Sequence, residues 1–224
     1  MILSNRLLSN YPHTLKIFTR FSTLLACIWL TACSQPDTQS LRFGLAVAPI
    51  TLDPRFATDA ASMRINRLLY RALVDFDDKL RPVPDLATWE QLSPTHYRFR
   101  LGQDGRDFHD GRRLIAHDVK ATYDFILAAA NQSPLRGALA TIKQIEAPDV
   151  DTLDFILNKP DPLLPGRLVV GIVPANLIQR QHPFNKQPLG SGKFQLVKWP
   201  YASHLLLQRR PDGQLVEFLE VKDP

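Results

Sequence analysis

Apolar and polar positions alternate along this chain with two periods, one near two residues and one near three and a half. Leu41 to Ala48 is a short apolar run with Gly44 inside it, which predicts a strand. The segment Pro49-Ile50-Thr51-Leu52-Asp53-Pro54 then breaks it. Each residue before a proline is pushed toward extended backbone, so this segment predicts an extended loop. Ala60 to Leu73 predicts a helix, because Ile65, Leu68, Leu69, Ala72 and Leu73 share one face. Arg64, Arg67 and Arg71 line its other side, as on a solvated face.

Trp89 to Leu101 predicts a hairpin turning at Ser93-Pro94-Thr95, with Tyr97, Phe99 and Leu101 alternating against Arg98 and Arg100. Phe108-His109-Asp110-Gly111 reads as a turn. A second helix is predicted from Ala116 to about Ala130, with Val119, Thr122, Tyr123, Ile126 and Ala130 on one face and Asp118 favoured in its first turn. Ile142–Ala147 and Thr152–Leu157 predict a second hairpin. Val169–Val173 reads as a short strand, and Pro174–Arg180 as a helix opened by its proline. Gly190-Ser191-Gly192 is a tight turn before strands at Lys193–Trp199, His204–Arg209 and Leu215–Val221. Strands outnumber helices, and the class is α/β with mixed sheets.

Composition adds a compartment. Of the 224 residues 45% are hydrophobic and 22% charged, an ordinary globular balance. The net charge of +5 is uneven. Residues 1–32 hold Arg6, Lys16 and Arg20 and no acidic residue; the rest has 24 basic and 22 acidic residues. The body of the chain therefore has no charge excess that calls for nucleic acid. The leader has a basic segment ending at Arg20, an apolar run from Phe21 to Leu30, and Leu30-Thr31-Ala32-Cys33. That order predicts a lipoprotein signal peptide over 1–32, cleaved before Cys33, whose thiol carries the lipid. Cys27 would leave with the signal, and a polar tether, 33–40, would follow. Buried acyl CH₂ groups, at about 0.8 kcal/mol each, would hold the chain to a membrane.

Candidate chemistry is sparse. His109-Asp110 and His117-Asp118 are the paired imidazole and carboxylate sets that a metal-dependent hydrolase could use. One lies in a turn and the other at a helix start, with no further ligand placed to complete a site. The usual nucleophile, phosphate-loop and zinc signatures are absent. No catalytic residue, metal ligand or cofactor is assigned, and the chain reads as a non-enzyme.

Several segments then fall into a recognisable order: Leu52-Asp53-Pro54; Leu68 to Val74 followed by Asp75-Phe76-Asp77; and Pro84 to Glu90. Tyr97 to Leu101, Phe108-His109-Asp110-Gly111 and Ala116-His117-Asp118-Val119 follow, and finally Pro188 to Phe194. This resembles the family 5 extracellular solute-binding proteins of bacterial ABC importers, the dipeptide, oligopeptide and nickel group. The resemblance covers about Leu41 to Pro224. The sequence departs from the family at Lys193-Phe194, where Pro-Tyr is usual, and at Ile115, where a capping Thr or Ser is common.

The resemblance implies a periplasmic binding protein type II-like fold. Residues 41–54 and 168–224 would form the main sheet of a first lobe, and 55–167 an inserted subdomain. Family members are roughly twice as long, so the second lobe would be absent from this chain, leaving it truncated. By analogy Ala48, Pro49, Ile50 and Thr51 would face the solute, their backbone pairing with an extended peptide. The implied partners are a small solute, most readily a peptide, the permease subunits of an importer, and a membrane through the lipid. The implied location is the periplasmic side of a bacterial membrane or the cell surface. A half-cleft open to water implies weak or no solute binding by this chain alone. A shortened, non-transport lipoprotein with a structural or protein-interaction role is the alternative.

Overall fold

The computed structural model describes residues 40–201 and 203–221. The expected signal peptide, Cys33 and most of the expected tether lie outside the described residues. Among the described residues, ten strands and three α-helices follow the order β1 (Leu41–Leu45), α1 (Ala60–Leu69), β2 (Val74–Phe76), β3 (Pro82–Pro84), β4 (Ala87–Ser93), β5 (His96–Leu101) and α2 (Ala116–Leu127). Then come β6 (Ile142–Glu146), β7 (Thr152–Leu157), α3 (Ala175–Gln179), β8 (Phe194–Tyr201), β9 (His204–Arg209) and β10 (Leu215–Glu220).

Two four-stranded sheets carry the fold. The first has the order β1-β10-β9-β8, with β1 parallel to β10 and the rest antiparallel. Its core gathers Leu45, Leu52, Ile65, Leu69, Tyr70, Leu205, Leu207, Val216 and Phe218. The second sheet, β4-β5-β7-β6, is wholly antiparallel. Its core centres on Phe155, whose ring meets Phe99 at 5.3 Å and Tyr123 at 5.8 Å, both edge to face. The inward residues Tyr97, Phe99, Leu101, Leu153, Phe155 and Leu157 keep the alternation of the two hairpins.

Several predicted elements end differently. The first helix starts where Asp59 caps it, its carboxylate accepting from Ser62 N at 2.8 Å. It stops at Leu69 rather than Leu73, because Gly192 N donates to Leu69 O at 2.9 Å and Tyr70 turns extended to bury its ring. Leu73 and Val74 thereby leave the helix and enter the second core. The second helix stops at Leu127 and continues only as a 3₁₀ turn, Ala129–Asn131. Its start lacks a hydroxyl cap, but Asp118 Oδ2 accepts from Ile115 N at 3.0 Å and Oδ1 from Ala175 N at 2.8 Å. Val169–Val173 is not a strand. Ile172 N donates to Arg71 O at 2.9 Å and Val173 N to Thr122 Oγ1 at 3.2 Å, so the run is an extended strap tied to separate elements. The small β2–β3 pair was unexpected, its prolines suiting a free edge.

The Gly190-Ser191-Gly192 turn lies directly against the end of α1. A Cβ on Gly190 would sit 2.1 Å from Leu69 O, and one on Gly192 would sit 2.2 Å from Leu68 O. Only glycine permits this approach.

Candidate binding cleft

The loop after β1 is held from beneath by a buried scaffold. The Ser62 hydroxyl, in the first turn of α1, accepts from Ile50 N at 2.9 Å and Thr51 N at 3.1 Å. Thr51 Oγ1 accepts from Asp53 N at 3.1 Å. Asp53 and Arg55 form a buried bidentate pair, with Nε to Oδ1 at 2.9 Å and Nη2 to Oδ2 at 2.7 Å. The Arg55 guanidinium lies over the Phe125 ring, 3.8 Å from its centroid. Ser133 Oγ donates to Arg55 O at 2.7 Å, and Tyr70 Oη to Leu52 O at 3.0 Å. Burial, with the Asp53 charge added, pushes the Tyr70 phenol well above its usual range, so it stays a donor.

Above this scaffold Pro49 is buried, Ala48 and Thr51 are half-buried, and Ile50 is 77% exposed. The geometry changes what this loop can offer. The amides of Ile50 and Thr51 already serve Ser62 and Pro49 has none, so ladder pairing through an N–H at any of these three residues is closed. A ligand would meet carbonyls and the Ile50 side chain instead.

Beside the loop is a largely apolar cleft of about 230 Å³, lined by Met63, Asn66, Arg67, Phe76, Val169 and Gly171, among others. Arg67 pairs with Asp75 at 2.5 Å on its lining. Asn66 is buried, and its Oδ1 has no partner although its Nδ2 lies 3.5 Å from Thr51 O. An orphaned acceptor in an apolar recess suits an apolar group that carries a donor. The sequence reading missed these residues. The one local signal is an amide, Asn66, next to Ile65 on the buried side of a helix; Arg67, expected on a solvated face, instead pairs with Asp75.

The imidazole–carboxylate pairs do other work. His109 Nε2 lies 3.1 Å from Gly192 O, and burial holds this imidazole below its usual range. Asp110 pairs with Arg112 at 2.7 Å, His117 is exposed, and Asp118 ties two helix starts together. Among the described residues no three His, Cys, Asp or Glu side chains are grouped to hold a metal ion, and no helix is long and apolar enough to cross a membrane.

Comparison with known proteins fits this arrangement. A family model described as the middle region of bacterial extracellular solute-binding proteins, family 5, matches residues 81–222. A Brucella ovis protein assigned as an ABC transporter peptide-binding protein is 30% identical over 156 residues, 64% of this chain and 29% of the relative. The HTH-type transcriptional regulator SgrR of Escherichia coli K12 is 37% identical over 114 residues, 49% of this chain and 19% of that protein. Among solved structures, the binding protein AgaA of A. tumefaciens R10, in complex with agropinic acid, superposes with a TM-score of 0.75 at 27% identity. That match covers 82% of this chain and 40% of AgaA. The chain thus spans well under half the length of these proteins, and its α/β fold is that of periplasmic binding proteins. It belongs to the family 5 bacterial extracellular solute-binding proteins.

Proposed function

We propose that this protein is the solute-binding component of an ABC importer for peptides, handing its ligand to a membrane permease. It works as a lipoprotein, held by a lipid on Cys33 at the periplasmic side of a bacterial membrane. Ala48–Thr51 form the solute-facing lip, and the recess at Met63, Asn66 and Phe76 takes an apolar side chain next to a peptide N–H. The observation that carries this reading is the contrast at the lip: Ile50 is 77% exposed while Ser62 anchors two amides beneath it. The peptide class rests on the name of the Brucella relative.

One wall of a cleft leaves each polar contact in competition with water. The expected affinity of this chain alone is therefore weak, on the order of millimolar. The test is NMR titration of the protein with a tripeptide mixture, a nickel–histidine chelate and a sugar in parallel. Peptide-specific shifts at residues 48–51 and 66, lost in Asn66→Leu, support the reading. A preference for the sugar or the chelate, or no shift at the lip with any solute, overturns it. Intact-mass measurement of the protein from its host's membrane fraction tests the anchor: mass for Cys33 onward plus acyl chains supports it, and unmodified Cys33 rejects it.

A further inference from the structure

On the other side of the Arg71–Asp85 pair lies an open groove of about 910 Å³, lined by Ser191, Lys193, Gln195, Gln208 and Arg210 among others. We propose that this groove binds a phosphate-class oxyanion, independently of the peptide reading. Strand register sets which side chains meet in the groove. Phe194 pairs with Arg209 and Gln195 with Gln208 across β8 and β9. One step outward, Arg210 N donates to Lys193 O at 2.8 Å, so Lys193 and Arg210 stand opposite each other. Residues two apart share a face, and Lys193/Arg210 and Gln195/Gln208 all line this groove.

Two like charges set directly opposite on an antiparallel pair repel. Neither has a carboxylate partner among the described residues. The neighbouring cations are already matched, Arg209 to Asp212 at 2.5 Å and Arg71 to Asp85 at 2.7 Å. Asp107 also lines the groove but forms no ion pair with either cation. A second observation points the same way: Ser191 is buried at the base of this groove, and its Oγ has no hydrogen-bond partner. An oxyanion seated between Lys193 and Arg210 relieves the repulsion and takes a bidentate contact from the guanidinium. The Ser191 hydroxyl and the amide of Gln195, which spends one hydrogen on Gln208 Oε1 at 3.0 Å, supply further donors.

The same oxyanion could be free phosphate or a lipid phosphodiester, and the experiment separates them. The folded protein is titrated with inorganic phosphate at low ionic strength while NMR follows residues 191–195 and 208–213. In parallel it is floated with phosphatidylcholine vesicles with and without phosphatidylglycerol. Saturable shifts confined to the groove, weakened about tenfold in Lys193→Gln and in Arg210→Gln, support a free oxyanion. Flotation that needs phosphatidylglycerol and both cations, without a phosphate response, supports a lipid headgroup. Lys198→Gln, exposed on the same strand, is the control expected to leave either response intact. No response in either arm, or one that survives both groove substitutions, overturns the proposal.

Discussion

The two sheets finish themselves to different degrees. The second sheet is the better covered on its core face. Its two hairpins meet along β5 and β7, its core is sealed around Phe155, and its outer face is neutralised where Asp154 takes both Arg98 at 2.7 Å and His96 at 3.0 Å. Arg98 and His96 hold the Asp154 carboxyl below its usual range. The first sheet is open at an edge. Leu41 and Phe43, on the core side of β1, remain 49% and 51% exposed, although Phe43 stacks on Phe218 at 5.6 Å. An edge strand that shows apolar side chains and unpaired backbone is a place where more polypeptide can be added. The second sheet joins two local hairpins through β5 and β7, whose paired residues run from His96–Ile156 to Arg100–Thr152. The first already recruits β1 from a distance of more than 150 residues, and its surface is the less complete.

The sharpest way to break this contrast is Phe155→Ala. Deleting a buried ring at the junction of three aromatics is expected to cost about 3–5 kcal/mol in urea unfolding. Hydrogen exchange should accelerate over residues 87–101 and 142–157 before 204–220; uniform acceleration would show that the two sheets unfold as one. Asp53→Asn tests the scaffold under the first sheet's loop. It strands the Arg55 charge among Phe125 and Phe184, and about 3 kcal/mol of stability should be lost. Circular dichroism melts would read it, and an unchanged melt would mean that the pair contributes little.

Smaller effects sharpen the comparison. Burial holds the His109 imidazole below its ordinary value, so the unfolded chain takes up its proton first as pH falls. The neutral ring's contribution is complete above about pH 6.5 and declines as pH falls from there toward the folded-state value. His109→Gln keeps a donor near Gly192 O and should flatten that part of the stability–pH curve; an unaltered slope would assign the effect elsewhere. Smallest of all, Phe43→Ser should change stability by about 0.5 kcal/mol or less. It should reduce concentration-dependent association seen by analytical ultracentrifugation if the open edge is sticky.

Sequence periodicity made most strands of both sheets legible, because each hairpin buries one face and alternates faithfully, as Tyr97–Leu101 and Leu153–Leu157 do. It failed where backbone partners overrode side-chain pattern. Ala72 and Leu73 continue the helical spacing, yet Gly192 takes the carbonyl that the next turn would need. Val169–Val173 is apolar enough for a strand but forms an extended strap that bonds to Arg71 and Thr122 rather than to a ladder, with only Ile172 and Val173 buried. Of the candidate site, Ala48–Thr51 are an expectation that only the family resemblance implies. The recess was hidden because Met63, Phe76 and Val169 converge from three separate segments, and no local spacing reports such a meeting.

The hydroxyl of Ser62 gives the first helix a mechanical role. It clasps two consecutive amides of the lip, and the helix runs ten residues, about 15 Å, to Leu69. There the glycine turn presses on the helix end with no room for a methyl group. The helix is therefore held at both ends: Ser62 in its first turn carries the amides of residues 50 and 51, and Leu69 at its end accepts from Gly192 in the turn that precedes β8. One ten-residue helix thus ties the loop after β1 to the turn before β8, the two opposite edge strands of a single sheet.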